Sequence, residues 1–389
     1  MRYHSYLHTA VKILSSYKGA EPLSSFLKKF FAAEKKYGSR DRKQIASLCY
    51  NYFRLGRSLL QMPVEERIIL ATFLCERSHN EFLQFHKPEW NDSITATVSQ
   101  KSSVINSPFS INDIFPWKNE LSDGIDHHQL GSSYLQQPDL FLRIRPGKKD
   151  IVIKKLEQAG SGFELQNEAC IALPNSSRLD DIIEIDKEAV IQDHNSQHVL
   201  DHLKLNQYQV SSIKYPIWDC CAASGGKSIL AYDLLEGKVE LTVSDIRESI
   251  LSNLKKRFSR AGIIGYNSFI SDLMTDNCKL PTANSQLIIC DAPCTGSGTW
   301  SRTPEQLFYF DPASIKTFTE RQQKIVSNAI PDLKEGGLFF YITCSVFAAE
   351  NEEIVKFIKN KFHLQLLQME LLKGYDKKAD NMFVAVFSK

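Results

Sequence analysis

The last two hundred residues alternate short apolar runs with amphipathic stretches, and few folds accommodate that alternation. Ile217-Trp218, Glu240 to Ser244, Ser268 to Ile270, Leu287 to Cys290 and Leu338 to Ile342 read as strands. Ser249–Arg260 and Ile315–Ala329 between them carry helical periodicity. Strands separated by helices imply crossover connections and so a doubly wound, Rossmann-like α/β sheet. Ligands in such sheets bind beyond the carboxyl ends of the strands, so the residues that follow each apolar run carry the most information.

The first run leads into Asp219-Cys220-Cys221-Ala222-Ala223-Ser224-Gly225-Gly226-Lys227-Ser228. Small residues there let the backbone approach a ligand closely before a helix begins. Gly226-Lys227-Ser228 fits the end of a phosphate-binding P-loop, but that pattern requires Gly where this chain has Cys221. The nicotinamide pattern G-x-G-x-x-G is absent as well. A loop of this size suits S-adenosylmethionine. Asp245, after Leu241 to Ser244, can accept both ribose hydroxyls of an adenosine-bearing cofactor. Asp272, after Phe269 to Ser271, can accept from an adenine amino group, although either Asp can instead cap a helix.

Two further strand ends each present a cysteine: Asp291-Ala292-Pro293-Cys294 and Thr343-Cys344-Ser345. Methyltransferases acting on exocyclic amines need a nitrogen-polarising pocket and no thiol. Carbon 5 of cytosine, by contrast, is a poor nucleophile until something adds to carbon 6, and a thiolate can both add there and leave again. Two cysteines allow one to attack and the other to assist release. The alternative is that both pack at strand ends.

The rest of the chain differs in texture. Leu23, Phe26, Leu27, Phe30 and Phe31, then Ile45, Leu48, Cys49, Tyr52 and Phe53, recur at helical spacing. Residues 1–60 hold seven Lys and five Arg against three acids, a local +9 in a chain of net charge +2. Lys35, Lys36, Arg40, Arg42 and Lys43 surround Tyr37-Gly38-Ser39, where Ser39 or Asp41 is suited to cap the next helix. That cluster is the expected polyanion face, with RNA as the leading partner; the bland alternative is a solvated helix face. Residues 91–112, rich in Ser, Thr and Asn, read as a long surface loop. From Pro138 the pattern becomes strand and helix, with Arg143 and Arg145 able to touch phosphates. We therefore expect a helical domain over 1–125, a small α+β module over 126–190 and a catalytic α/β domain over 191–389.

Nine cysteines without Cys-x-x-Cys spacing favour free thiols in a reducing compartment and no metal. No apolar stretch approaches the length of a membrane span, and the expected location is the cytoplasm. His127-His128 lack a matching third ligand, Trp300 suits either a target-base contact or a core, and Lys255, Lys256, Arg257 and Arg260 read as a solvated helix face.

These motifs resemble the NOL/NOP/Sun RNA cytosine-5 methyltransferases, and within them the bacterial RsmB-like (Sun/Fmu) ribosomal RNA enzymes. The resemblance covers nearly the whole chain and implies a class I methyltransferase fold behind a NusB-like RNA-binding domain. It implies that Cys221, Ala222, Ala223, Ser224, Gly225, Gly226 and Lys227 form the cofactor loop, and that Asp245, Asp272 and Asp291 contact S-adenosylmethionine. Cys344, in Thr-Cys-Ser, would be the nucleophile; Cys294, in Pro-Cys, would assist product release; Asp291 would stabilise the activated ring. Gln192-Asp193, Ser196-Gln197 and Arg302-x-Pro304 also fit, with Arg302 an RNA contact. The implied substrate is small-subunit (16S) ribosomal RNA, with transfer RNA or a weakly active assembly factor as rivals, and the expected state is a monomer.

Two positions depart from the family pattern: Ser224 stands where Pro is usual, and Arg145 where an Asn is usual. A serine in place of a ring-locked residue leaves the loop freer. Ser224→Pro is therefore expected to tighten the dissociation constant for S-adenosylmethionine slightly; an unchanged constant would rule this out.

Overall fold

The computed structural model describes residues 2–105, 108–204, 214–275 and 284–389. It divides into two compact units, one of 1–121, 125–137 and 299–312, the other of 122–124, 138–298 and 313–389. Where the sequence suggests three segments, the 138–204 region and the α/β sheet thus share one unit, and the Arg302-x-Pro304 segment joins the helices. Asn106 and Ser107 of the expected loop, and Cys278, lie outside the described residues.

The first unit is helical: α1 Arg2–Ser16, α2 Leu23–Ala33, α3 Ser39–Arg54, α4 Val64–Cys75, α5 Glu81–His86, α6 Pro88–Asn91, α7 Val98–Val104 and α8 His127–Ser133, with α12 Pro304–Tyr309 from its later segment. The two apolar stripes meet as expected, with Leu23, Leu27 and Phe31 packing against Ile45, Leu48, Cys49 and Phe53. Gly38 is the N-cap of α3, and its N–H donates to Asp41. The expected loop over 91–112 is corrected, because α7 lies inside it. Thr97 caps that helix, and the buried Lys101 Nζ donates to Phe73 O (2.7 Å) and Glu76 O (2.6 Å), carbonyls at the end of α4. Burial pushes the Lys101 pKa down to about 8. Polar composition hides this helix because one lysine, not an apolar stripe, anchors it. Arg54 is also buried, and its Nη1 reaches Tyr134 O, Gln136 O and Ser301 O at 2.9 to 3.0 Å. Trp300 is 1% exposed among Phe115, Trp117 and Phe310, so it is a core residue of this unit.

The second unit holds two sheets. The smaller runs β2-β3-β1-β4, from β1 Leu140–Ile144, β2 Glu164–Asn167, β3 Cys170–Leu173 and β4 Ala189–Ile191, with α9 Lys149–Gln158 packed on it. The larger contains β5 Tyr215–Asp219, β6 Val239–Asp245, β7 Asn267–Ile270, β8 Ser285–Asp291, β9 Leu333–Thr343, β10 Gln365–Leu372 and β11 Met382–Ser388, in the order β10-β11-β9-β8-β5-β6-β7. Strands β5 to β9 pair in parallel, and β11 pairs antiparallel with both β9 and β10. Each expected strand is present; the β10-β11 pair and the helices α10 Gly226–Leu234 and α14 Glu352–Phe362 complete the layer with α11 Glu248–Ala261 and α13 Ala313–Ala329. Chain order reverses between β8 and β5, so the cleft lies beyond the ends of those strands. No helix among the described residues is long and apolar enough to cross a membrane.

Arg143 and Arg145 do not face solvent, which corrects their expected phosphate role. Their side chains are 6% and 11% exposed and both pair with Asp233 of α10 at 2.7 Å, while Arg143 Nε also donates to Gln192 at 2.8 Å. Strand alternation turned both inward, where a helix carboxylate waited. Asp233→Ala leaves two buried guanidiniums unpaired, which costs about 3–5 kcal/mol. The urea midpoint should fall accordingly, and a loss below about 1 kcal/mol would show the pair to be dispensable.

Asp219, at the end of β5, is 1% exposed. Burial raises its pKa to about 7, against the opposing hydrogen bond from Ser228 Oγ at 2.6 Å. Its folded pKa thus lies above its unfolded value of 3.8. The stability it allows is fully present below the unfolded pKa and is lost as pH rises through the folded one. Chemical denaturation at pH 5 and pH 8 should show a decline in the wild type that Asp219→Asn abolishes. An equal decline in the variant would assign the titration elsewhere.

Candidate active site

Four strand ends converge on one cleft of about 510 Å³, to which Cys221, Ala223, Asp245, Asp272, Met274 and Asp291 contribute. The β5–α10 turn approaches it closely because Ala223 (φ +45°) and Gly225 (φ +83°) are both left-handed. A side chain at 225 would meet the Phe258 ring at 2.7 Å, so only glycine fits. Ala223 N–H donates to Asp245 Oδ2 at 3.0 Å, and Arg247 donates to Oδ1 from N and Nε, both at 2.9 Å. Burial opposes charge on Asp245, but these bonds outweigh it and hold the carboxyl below its usual range. Asp272 Oδ1 accepts from Met274 N–H at 2.9 Å. A charged acceptor at the end of β6, a second beyond β7 and apolar Ile246, Leu273 and Met274 fit a ribose and an adenine.

At the next strand end, Lys227 Nζ lies 2.6 Å from Asp291 Oδ2. Burial works to lower the Lys227 pKa, but Asp291, and then the Cys344 sulfur, raise it on balance. The lysine therefore keeps its charge beside both groups.

The two thiols meet: Cys294 Sγ and Cys344 Sγ are 3.4 Å apart. The hydrogen bond with Cys344, and then burial, push the Cys294 thiol well above its usual range. Cys294 is thus favoured as a thiol. The backbone fixes the pair, since Gly298 N–H donates to Cys344 O at 2.8 Å and Gly298 O accepts from Asn381 N–H at 3.0 Å. A Cβ at 298 would lie 2.3 Å from Asn381 O, so the glycine is required there.

A buried polar network that the sequence did not single out joins the two cysteine loops. Glu350 is 0% exposed and accepts from Thr295 N (2.9 Å), Thr295 Oγ1 (2.6 Å), Gln322 Nε2 (3.1 Å) and Ser345 Oγ. Burial raises its pKa against those bonds. Gln322 also donates to Pro293 O at 3.0 Å, and Asn351 Nδ2 to Ser345 O at 2.9 Å. Glu350-Asn351 just before α14 looks like an ordinary acidic helix start; only the fold shows it linking the two cysteine loops.

The other expected site residues distribute as follows. Lys35, Lys36, Arg40 and Lys43 are exposed around the α2–α3 turn, while Arg42 Nε donates to Tyr37 O at 2.8 Å. Arg302, half-buried, belongs to the helical unit. His127 Nε2 lies 2.6 Å from Phe115 O at the start of α8. Cys220, Cys221 and Cys290 bring their sulfurs within 4.8 Å of one another, and Cys220 and Cys290 are core residues. Arg257 is corrected from a solvated face, since its side chain is largely covered and pairs with the buried Asp186; Lys255, Lys256 and Arg260 are exposed as expected, although Arg260 also pairs with Asp186.

Residues 207–386 match the family model described as 16S rRNA methyltransferase RsmB/F. The chain is 29% identical over 240 residues to a probable ribosomal RNA small subunit methyltransferase B of Synechocystis, covering 59% of this chain and 52% of that one. It is 30% identical over 164 residues to the mouse tRNA (cytosine(72)-C(5))-methyltransferase NSUN6, covering 39% and 34%. The chain thus spans about half the length of the first of these relatives and about a third of the second. The solved structure of PH0851 shares the fold, with a TM-score of 0.68 at 17% identity over 98% of this chain and 97% of that one. The cleft at the switch point and the paired thiols both lie within residues 207–386, the stretch that matches the RsmB/F methyltransferase model.

Proposed function

We propose that the protein methylates carbon 5 of a cytosine in RNA, using S-adenosylmethionine, with 16S ribosomal RNA as its substrate. The observation that carries this reading is the 3.4 Å approach of two thiols beside the adenosine-shaped cleft. A binding module needs neither thiol, which weighs against an assembly factor without turnover. The similarity to a transfer RNA enzyme keeps transfer RNA as the second reading.

S-Adenosylmethionine, when bound, supplies an electrophilic methyl group; the remaining work falls to side chains of the chain. Asp245 and Asp272 would hold its ribose and adenine, and the backbone of the loop from Cys221 to Lys227 would line its site. The target base leaves its stack to enter the site. Cys344 thiolate forms an S–C6 bond and makes carbon 5 nucleophilic. Asp291, fixed by Lys227, stabilises the activated ring. After methylation the carbon 5 proton is lost to a base, the ring electrons restore the C5–C6 double bond, and the S–C6 bond breaks. Cys294, which keeps its proton, donates to the departing Cys344 sulfur.

The helical unit would be the NusB-like RNA-binding domain, gripping phosphates through Lys35, Lys36, Arg40 and Lys43, with Arg302 a further contact. Residues 126–190 would form the small α+β module and 191–389 the catalytic domain. The protein would act as a monomer in the cytoplasm.

Mapping of 5-methylcytosine at nucleotide resolution in cells with and without this gene tests the substrate. One 16S site should vanish and return with wild type but not with Cys344→Ala. In vitro, Cys294→Ala should accumulate a denaturant-stable RNA–protein adduct and slow turnover by on the order of 10²–10⁴-fold. Wild-type turnover without adduct in Cys294→Ala would remove that residue from the release step.

A further inference from the structure

The cofactor loop is held from outside itself. Between Ala223 and Gly225, both at positive φ, stands Ser224, an exposed residue with no ring to stiffen it. A left-handed alanine is unfavourable by about 1–2 kcal/mol, so a backbone of this shape needs an external restraint. Arg257 of α11 provides one: its Nη1 lies 3.0 Å from Ser224 O and 3.0 Å from Ser224 Oγ.

Arg257 is in turn immobilised. Its Nε and Nη2 lie 2.9 Å and 2.8 Å from Asp186 Oδ1, and Arg260 takes Asp186 Oδ2 at 2.6 Å. Asp186 is fully buried, sits at φ +69°, and its carbonyl accepts from Arg145 Nη1 at 3.1 Å. All three guanidinium nitrogens of Arg257 are thus engaged, and the planar fork transmits one fixed orientation from Asp186 to the loop. The two departures from the family pattern, Arg145 and Ser224, stand at opposite ends of this one network.

We propose that Arg257 is a positioning residue for cofactor binding, replacing a rigid loop backbone with a guanidinium clamp anchored on Asp186. The clamp acts through Ala223, whose N–H donates to Asp245; a loop that drifts takes that donor away from the carboxylate that faces the ribose. Arg257 itself does not line the cleft. The proposal rests on the reading of that cleft as the S-adenosylmethionine site.

Isothermal titration with S-adenosylmethionine, paired with steady-state methylation, tests it in wild type, Arg257→Ala, Arg257→Lys, Ser224→Pro and the double variant Ser224→Pro/Arg257→Ala. Arg257→Ala should weaken binding by about tenfold, the loss expected of a charged hydrogen bond. KM for the cofactor should rise in step, with kcat at saturation held within about twofold. Lysine should not rescue, because a single ammonium cannot span Asp186 and both Ser224 acceptors. In the Ser224→Pro background, where the ring sets φ without a partner, the Arg257→Ala loss should shrink to about twofold or less. Should Arg257→Ala unfold, Arg257→Lys carries the same comparison. Unchanged affinity in both Arg257 variants, or the same loss in the proline background, would overturn the proposal while leaving the methyltransferase reading intact. A wild type that binds no S-adenosylmethionine would instead defeat that reading, and the clamp with it.

Discussion

A single buried carboxylate sets the distance on which the reactive centre depends. Glu350 accepts from Thr295, next to Cys294, and from Ser345, next to Cys344, with Gln322 of α13 closing the set. A carboxylate without water is tolerable only when such donors surround it. The requirement works in both directions: the donors must come to Glu350, and in coming they bring two loops fifty residues apart to a 3.4 Å sulfur contact. Thiol geometry is therefore a by-product of satisfying one acid.

The cofactor side follows different physics. A parallel sheet leaves its polar strand ends where the chain order reverses, and Asp245, Asp272 and Asp291 occupy successive ends there. Lys227 neutralises the last of them and lies within electrostatic reach of Cys344. Asp219, one strand end further in, has no such cation within bonding distance among the described contacts, and burial raises its pKa towards neutrality. The contrast shows how acids of like sequence context separate into cleft-lining groups and a buried structural one that takes up a proton more readily.

Motifs at strand ends were legible because apolar runs announce the strands and small or acidic residues punctuate them. The helical stripes of the first unit were legible for the same reason, and Leu27 and Ile45 lie in its core. Long side chains were misread. Arg143, Arg145 and Arg257 look solvent-facing in a pattern of charge, yet each meets a buried Asp more than seventy residues away in the chain. Lys101 reversed the same expectation by anchoring a helix in a stretch of polar composition.

The amino-acid order by itself determined the α/β class and the placing of the small-residue loop and the two thiols at strand ends, since these depend on local periodicity and on residue type at a chain position. Only the tertiary structure decided which charges are partners, that residues 299–312 join the helical unit, and that Glu350 links the two cysteine loops. Those outcomes are set by desolvation. A buried charge must find its counterpart wherever the chain brings one, and sequence separation carries no trace of that search.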